Sequence, residues 1–503
     1  MGLREGQNLN DEMISVGIDI GTSTMQLIFS KLVVENLAGS YSVPRISIVD
    51  KRIIYESEIA FTPMISDSLV DIEKCRKFID EQYKIAGVDY NDVKTGAVII
   101  TGESARKENA DKVLENVSCF AGNFVVATAG PSLESMLSGF GANIGNVSKS
   151  KNISIVNVDI GGGTSNISFF NKGKLCGVTC LDIGGRLIKV DVENNKITYV
   201  YHKIKKLAEE NGIHFEEGEE IDIEKLEHIS EIMVQCLAES LNLIHPNTEH
   251  KNMFTNDEKE LNKDIKPDGI SFSGGVGDLY YISGNFKKQD FVTKGSNEDY
   301  GFYIKEELFK YGDIGIILAQ KLRKSEYFRD VEIIRPKETI RATVIGAGMY
   351  TTELSGSTIF VEDSELPLKN IPILKIKDSE IENADKIIKE QLPMYFINDT
   401  VQSVALAFEG YEDVSFEGIQ KLSEKIITGA GEIIKSNCPL VVVVENDIGK
   451  ALGNSIISRL RGYKKVICID GIVTLNGDYM DIGRTVADGQ AVPVIVKTLI
   501  FNW

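Results

Sequence analysis

Two aspartates, each followed at once by a glycine-bearing turn, are the residues of this chain best placed to do chemistry. Asp159 stands in Val158-Asp159-Ile160-Gly161-Gly162-Gly163-Thr164-Ser165-Asn166, and Asp19 in Val16-Gly17-Ile18-Asp19-Ile20-Gly21-Thr22-Ser23-Thr24. Three consecutive glycines remove every Cβ from a turn, so the backbone can curl around a ligand and aim several N–H groups at it. A concave row of N–H groups favours an anion, typically phosphate. A carboxylate at the strand end beside it suits a divalent cation. Magnesium keeps most of its waters and takes one or two carboxylates plus phosphate oxygens. Asp19 and Asp159 are therefore the candidate Mg²⁺ carboxylates, mostly through water. The hydroxyls of Thr22, Ser23, Thr24 and Thr164 are candidate phosphate donors. Taken singly, either loop also reads as a tight turn whose hydroxyls only stabilise it.

The second copy raises the argument above a lone glycine turn. Asp19 aligns with Asp159, Gly21 with Gly161 and Thr24 with Thr164, a separation of 140 positions from 19 to 159. Solenoid repeats are far shorter, so this period indicates two related domains. Each motif must be held by a strand on either side. Met13–Ile20 and Thr24–Leu32 flank the first, and Ile153–Val158 and Ile167–Phe170 flank the second, which makes each a hairpin.

The remaining elements follow in order. Arg45–Val49 and Arg52–Tyr55 are β-rich, and Ile72, Cys75, Phe78, Ile79 and Tyr83 have helical spacing closed by Gly87. Ala97–Thr101 reads as a buried strand, Lys107–Phe120 as a helix and Phe124–Ala127 as a strand. Pro131 suits a first helical position, and Ser135, Ser138, Gly139 and Ala142 would let that helix pack closely; a plain surface helix is the alternative. In the second half, Leu175–Leu181 is a strand before Gly184-Gly185, Glu224–Leu243 a helix and Glu249–Lys263 an exposed loop. Gly269-Ile270-Ser271-Phe272-Ser273-Gly274-Gly275-Val276-Gly277 is a short strand entering a glycine turn. Ala342–Met349 reads as strand, glycine turn and helix start; Thr351 stands where a dinucleotide fingerprint needs its last glycine. Beyond Val361, charged Asp378–Glu390 and the apolar spacing from Phe416 to Ile427 read as helices. Leu440–Val444, a helix from Gly449 to Leu460 and Val466–Ile469 form a βαβ unit. Ile472–Leu475 and Tyr479–Ile482 read as a hairpin around Asn476-Gly477, and Val492–Phe501 as a last strand.

Composition sets the frame. The 503 residues are 43% hydrophobic and 26% charged, ordinary globular values for about three domains. A net charge of −19 and a pI near 4.9 argue against nucleic acid or an anionic membrane as partner. No apolar stretch is long enough to span a bilayer. Residues 1–12 read as a disordered lead-in without a signal-peptide core. Seven cysteines in no framework suit reduced, buried thiols in a cytosol. No zinc spacing, HExxH or Walker loop occurs.

The paired hairpins resemble the phosphate motifs of the actin, sugar kinase and Hsp70 ATPase superfamily. The resemblance implies an α/β actin-like ATPase fold. Residues 13–142, completed by about 344–362, would form domain I, residues 152–343 domain II, and 363–503 a C-terminal α/β module. ATP would lie between the two domains. The resemblance makes Asp19, Gly21, Thr22, Ser23 and Thr24 the first phosphate loop and Asp159, Gly161, Gly162, Gly163 and Thr164 the second. It makes Gly274, Gly275, Val276 and Gly277 the adenosine loop, and adds Gly346 from the second interdomain connection. Hsp70-type ATPases carry an acidic residue beside the proline of the first connection. Here Gly130 precedes Pro131, and Glu134 is the nearest carboxylate, the candidate catalytic residue of a slow hydrolysis.

Three passages are similar to a narrower family, the ethanolamine ammonia-lyase reactivating factors of ethanolamine utilization (EutA). They are Asp159–Asn166, Ala129–Ser135, and Gly477-Asp478-Tyr479-Met480-Asp481-Ile482-Gly483 with Val492–Leu499. The likeness runs from about Ile14 to Phe501. It implies a chaperone that uses ATP and Mg²⁺ to release damaged cobalamin from ethanolamine ammonia-lyase, so that adenosylcobalamin can rebind. The lyase and ATP or ADP are the implied partners, with no nucleic acid and no membrane. The reading is cytoplasmic; a homodimer and association with a bacterial microcompartment stay open. An actin-like scaffold ATPase and a small-molecule kinase are the competing readings of the same clamp.

Overall fold

The computed structural model describes residues 11–21, 24–37, 46–66, 69–101, 112–113, 131–255, 261, 266–282, 305–350, 352–355, 359–361, 363–396, 400–409, 411, 413–474 and 478–497. Thr22, Ser23, nearly all of the expected helix 107–120, the expected strand 124–127, Gly130 and Asn476-Gly477 lie outside the described residues.

Domain I is built on β1 (Asp11–Ile20), which pairs antiparallel with β2 (Thr24–Asn36). β2 in turn pairs with β3 (Ile46–Glu56), and β1 pairs in parallel with β4 (Val93–Ile100). The order is β3-β2-β1-β4. The central strand is covered on both faces: Val16, Ile18 and Ile20 on one and Met13 and Ser15 on the other are buried, the pattern of a strand with a parallel neighbour. Two expectations are corrected here. β1 begins at Asp11, inside the expected lead-in, because Glu12 pairs with Lys31 and Arg52 on the neighbouring strands. The two β-rich segments after Arg45 are one strand, β3, in which Asp50 and Arg52 are exposed while Lys51 turns inward and donates to the Met349 carbonyl at 2.6 Å. Helix α1 (Ile72–Ala86) starts on the Asp71 side chain and stops at Gly87, whose φ of 66° needs glycine.

Domain II repeats the plan. β5 (Ser154–Ile160), β6 (Ser165–Asn171), β7 (Lys174–Leu181), β8 (Gly269–Ser273) and β9 (Glu332–Ile333) lie in the order β7-β6-β5-β8-β9. β5–β6 is the antiparallel hairpin, and β8 runs parallel to β5 and β9. An antiparallel trio extended by a parallel strand thus occurs twice. This is the α/β actin-like arrangement, one copy per hairpin.

Two helices join the halves. α2 (Pro131–Gly141) lies on the domain II sheet, where Ser135 Oγ donates to the Thr179 carbonyl at 2.9 Å. Helix α3 (Ile223–Ser240) packs into the domain II core. Helix α4 (Gly274–Ile282) follows β8 directly. Helix α5 (Ala342–Tyr350) lies on the domain I sheet, where Ser15 Oγ donates to the Gly348 carbonyl at 2.6 Å. α5 replaces the strand and turn expected at Ala342–Met349. Its apolar run is explained by burial on all sides, because it crosses α2 as well as covering the sheet. A Cβ on Gly141 would overlap the Ala342 carbonyl, and one on Gly346 the Leu137 carbonyl.

The C-terminal sheet has the order β10-β16-β15-β11-β12-β13-β14. The strands are β10 (Glu353–Ser355), β11 (Leu368–Ile376), β12 (Ala405–Phe408), β13 (Leu440–Val444), β14 (Val466–Asp470), β15 (Tyr479–Ile482) and β16 (Val492–Lys497). β11 to β14 are parallel, with helices α6 (Phe416–Gly429) and α7 (Gly449–Arg459) packed on one apolar face. The expected βαβ unit is present as β13, α7 and β14. The expected hairpin of Ile472–Leu475 with Tyr479–Ile482 is not: residues 472–474 are not strand, and β15 instead joins β16 and β11.

Candidate functional site

Each hairpin is closed by the same bond. Gly21 N donates to the Thr24 carbonyl, and Gly161 N to the Thr164 carbonyl, both at 2.9 Å. The aspartate lies two residues before that glycine, at the end of the central strand. Asp19 is 9% exposed and Asp159 5%. Thr101, just past β4, donates its hydroxyl to Asp19 Oδ1 at 2.9 Å, and Ser273, the last residue of β8, donates to Asp159 Oδ2 at 2.6 Å.

Burial raises the carboxyl of Asp19 to about 7; the Thr101 hydroxyl opposes the rise and the charge of Asp159 adds to it. Burial likewise raises Asp159 to about 6 against the Ser273 hydrogen bond. The charge of Asp159 thus reaches Asp19, as the smallest of the causes acting on it. A divalent cation there would reverse both rises, since an opposite charge favours the ionised form. The donor set fits magnesium: both groups are hard oxygen acceptors. Among the described residues no cluster of three or more His, Cys, Asp or Glu forms a metal cage by itself, so water and phosphate oxygens would complete the shell.

The second loop is braced from behind. Gly185 N donates to the Gly161 carbonyl at 3.1 Å and Arg186 N to the Gly162 carbonyl at 2.7 Å. A Cβ on Gly184 would overlap Gly162. With these carbonyls engaged at the rear, the N–H groups of Gly162 and Gly163 have no backbone acceptor among the described residues. They are the donors an anion would meet. The Gly21 carbonyl of the first loop accepts from Thr62 Oγ1 at 2.7 Å.

The adenosine-side residues divide. Gly274 has φ +80°, and its N–H donates to the Thr339 carbonyl at 3.1 Å, which seats the start of α4 against β5. Gly275 is exposed, with nothing near the place of a Cβ. Val276 is buried with its Cγ2 against Gly185 and Gly315, and Gly277 backs onto Phe272. Gly346 lies in the crossing of α5 with α2, where an added Cβ would meet the Leu137 backbone. Glu134 is buried on the first turn of α2. Its neighbour Ser135 lies 3.5 Å from Asn166 Oδ1, and Asn166 pairs in register with Asp159.

Sequence reasoning did not single out Thr62, Thr101, Ser273 or the brace at Gly184 to Arg186. One signal was present: Asp182-Ile183-Gly184-Gly185 repeats the Asp-Ile-Gly-Gly of residues 159–162. In that copy the aspartate is already paired, with Lys203 Nζ at 2.5 Å and the Thr255 hydroxyl at 2.9 Å. Ser273 sits in the strand before the Gly274 turn, but only the folded sheets bring it to Asp159, Thr101 to Asp19 and Thr62 to the Gly21 carbonyl.

The model of the family described as ethanolamine utilisation protein EutA matches residues 11–502. The chain belongs to the EutA family. It is 34% identical over 491 residues to the ethanolamine ammonia-lyase reactivase EutA of Salmonella typhimurium, covering 97% of this chain and 99% of that protein. It is 32% identical to the Escherichia coli protein of the same name, with the same coverage. Among solved structures, a Ppx/GppA family member from Aquifex aeolicus aligns over 67% of this chain and 97% of its own, at 20% identity and a TM-score of 0.38. Ethanolamine utilization protein EutJ from Carboxydothermus hydrogenoformans aligns over 67% and 89%, at 16% identity and a TM-score of 0.30. Similarity at that level says nothing of activity.

Proposed function

We propose that this chain is an ATP-dependent reactivating factor for ethanolamine ammonia-lyase, releasing damaged cobalamin so that adenosylcobalamin can rebind. The observation that carries the reading is its near full-length likeness to two proteins named ethanolamine ammonia-lyase reactivase. The site is consistent with it: two braced glycine loops, two buried carboxylates and two crossing helices that join the halves.

When bound, ATP with Mg²⁺ supplies the free energy of an anhydride bond. Asp19 and Asp159 would hold the cation, mostly through water, with Thr101 and Ser273 fixing the carboxylates. The N–H groups of Gly162 and Gly163, with Thr24 and Thr164, would hold the phosphates, and the open backbone at Gly275 would face the adenosine. Glu134 is the carboxylate we assign to hydrolysis. A reactivating factor must have different affinities for the lyase in different nucleotide states, since a ligand shifts an equilibrium only by its differential affinity.

The test blocks ethanolamine ammonia-lyase with cyanocobalamin and adds this protein, ATP, Mg²⁺ and adenosylcobalamin. Lyase activity should return, and should not return without ATP. No recovery under any nucleotide condition would overturn the reading.

A further inference from the structure

The two metal carboxylates are held differently. Asp19 rests on one hydroxyl, Thr101, at the end of β4. Asp159 rests on a relay inside the sheet. Ser273 Oγ lies 2.6 Å from Asp159 Oδ2 and 2.9 Å from Asn157 Nδ2. Asn157 is on β5, two residues before Asp159, and both it and Ser273 are fully buried.

The proton count fixes the direction of this relay. A serine hydroxyl has one proton to donate, and an ionised carboxylate can only accept. Were the Asn157 amide turned to present its oxygen, Ser273 would face two acceptors with one proton. Presenting Nδ2 instead, Asn157 donates to Ser273 and leaves the hydroxyl proton for Asp159. The amide therefore leaves the hydroxyl of Ser273 directed at Asp159 and pins its Oδ2. Oδ1 accepts from no described residue, which leaves it for the cation's shell. Asn157 Oδ1 has no partner among the described residues, and neither does the hydroxyl of Ser168, the residue opposite it on β6. An asparagine buried at this cost, with one end unpaired, calls for a task at its other end.

We propose that Asn157 is a positioning residue for the metal carboxylate Asp159, acting through Ser273. This rests on the nucleotide-site reading above. Partners that orient a metal ligand typically change metal affinity by about 10–100-fold when removed.

The experiment measures ATP binding by calorimetry across a Mg²⁺ titration, and without Mg²⁺, for the parent, Asn157→Leu, Ser273→Ala, Ser273→Thr and the double variant Asn157→Leu/Ser273→Ala. For Asn157→Leu and Ser273→Ala we expect the Mg²⁺ concentration for half-maximal binding to rise about tenfold or more, with Mg²⁺-free ATP affinity unchanged. Ser273→Thr keeps the hydroxyl and should restore the parent value. The double variant should be no worse than Ser273→Ala, because Asn157 acts only through that hydroxyl. A parent whose ATP binding ignores Mg²⁺ would instead remove the nucleotide-site reading. A Mg²⁺-dependent parent with additive losses, or with equal losses with and without Mg²⁺, would overturn the relay. If Asn157→Leu does not fold, the comparison of Ser273→Ala with Ser273→Thr decides: equal Mg²⁺ dependence in those two overturns the proposal.

Discussion

Single side chains in this cleft are ranked by what they touch, and the ranking can be tested residue by residue. Asp159→Asn keeps the shape and removes the charge. We expect Mg²⁺-dependent ATP affinity to fall while the folded protein persists, since burying a neutral amide there relieves a crowded pair of carboxylates. Calorimetric titration of that variant with and without Mg²⁺ checks it; affinity and Mg²⁺ dependence equal to the parent would remove the metal assignment. Gly275→Ala is the backbone counterpart. Nothing lies near the added methyl, so thermal stability should hold or rise, while ATP affinity should drop if the nucleotide lies against this backbone. Asp313 gives a pH signature away from the metal site. Its Oδ1 accepts from Gly315 N at 2.9 Å, and Arg186 Nε is 3.6 Å from its Oδ2. Burial nonetheless outweighs these partners and raises its carboxyl to about 6. The folded state thus holds the proton more tightly than the unfolded chain. The stability from this group is complete below about pH 4 and is lost as pH rises through about 6. Asp313→Asn should flatten that decline in the nucleotide-free protein, by at most about 3 kcal/mol, read from denaturant midpoints at pH 4.5 and 7.5. The aspartates and the first glycine and threonine of each loop were legible in the sequence because they form a local motif that occurs twice. Ser273, Thr101 and Asn157 were not, because their role comes from strand neighbours far away in the chain.

The same contrast holds for the elements. Hairpins and the βαβ unit were legible because turn chemistry and apolar runs lie within a few residues of each other. α5 was not: Ala342–Ile345 is as apolar as a buried strand, and only its crossing with α2 shows why a helix can be buried on every side. β15 was assigned the wrong partner, since Asn-Gly is a strong hairpin signal whereas β16 follows only after a longer connection. The crossing yields a prediction in which two effects oppose each other. Replacing a helical glycine by alanine ordinarily stabilises by about 1 kcal/mol. At Gly346 the added methyl would overlap the Leu137 carbonyl, and backbone cannot yield as a flexible side chain does. Overpacking of this kind costs about 1–3 kcal/mol. Gly346→Ala should therefore lower the melting temperature, whereas any rise would mean that the two helices can separate at little cost. Gly139 of α2 is less suited to test the crossing alone. A Cβ there meets Ser168 and Phe170 and so disturbs the domain II sheet beneath the second loop.

At the scale of the whole molecule, the site is divided between two sheets, and one short segment ties it together. The Thr339 carbonyl accepts from Gly274 N, and the Thr339 hydroxyl donates to Asp278 on α4 at 2.6 Å. Two residues on, Arg341 reaches domain I: Nε lies 3.1 Å from Glu56 Oε2, and a terminal nitrogen donates to the Ser57 carbonyl at 2.9 Å. α5 then begins. We expect any movement of the Gly274 turn on nucleotide binding to pass through these contacts to β3 of domain I and to the crossing helices. Hinge closure of this kind is an established way for clefts to respond to ligands. We therefore expect the affinity for ethanolamine ammonia-lyase to differ between the ATP, ADP and nucleotide-free forms. Typical couplings are about 1–3 kcal/mol, or about 5- to 150-fold. Linkage requires the reciprocal effect: the lyase must change ATP affinity by the same factor. Arg341→Gln removes the ion pair without altering either phosphate loop. It should reduce the ratio of lyase affinities between nucleotide states while leaving ATP affinity in the absence of lyase near the parent value. Equal lyase affinities in all three states of the parent would sink the clamp mechanism, even with ATP binding intact. An unchanged ratio in Arg341→Gln would move the coupling from residues 339–341 to the α2–α5 crossing, where Gly346→Ala supplies the next comparison.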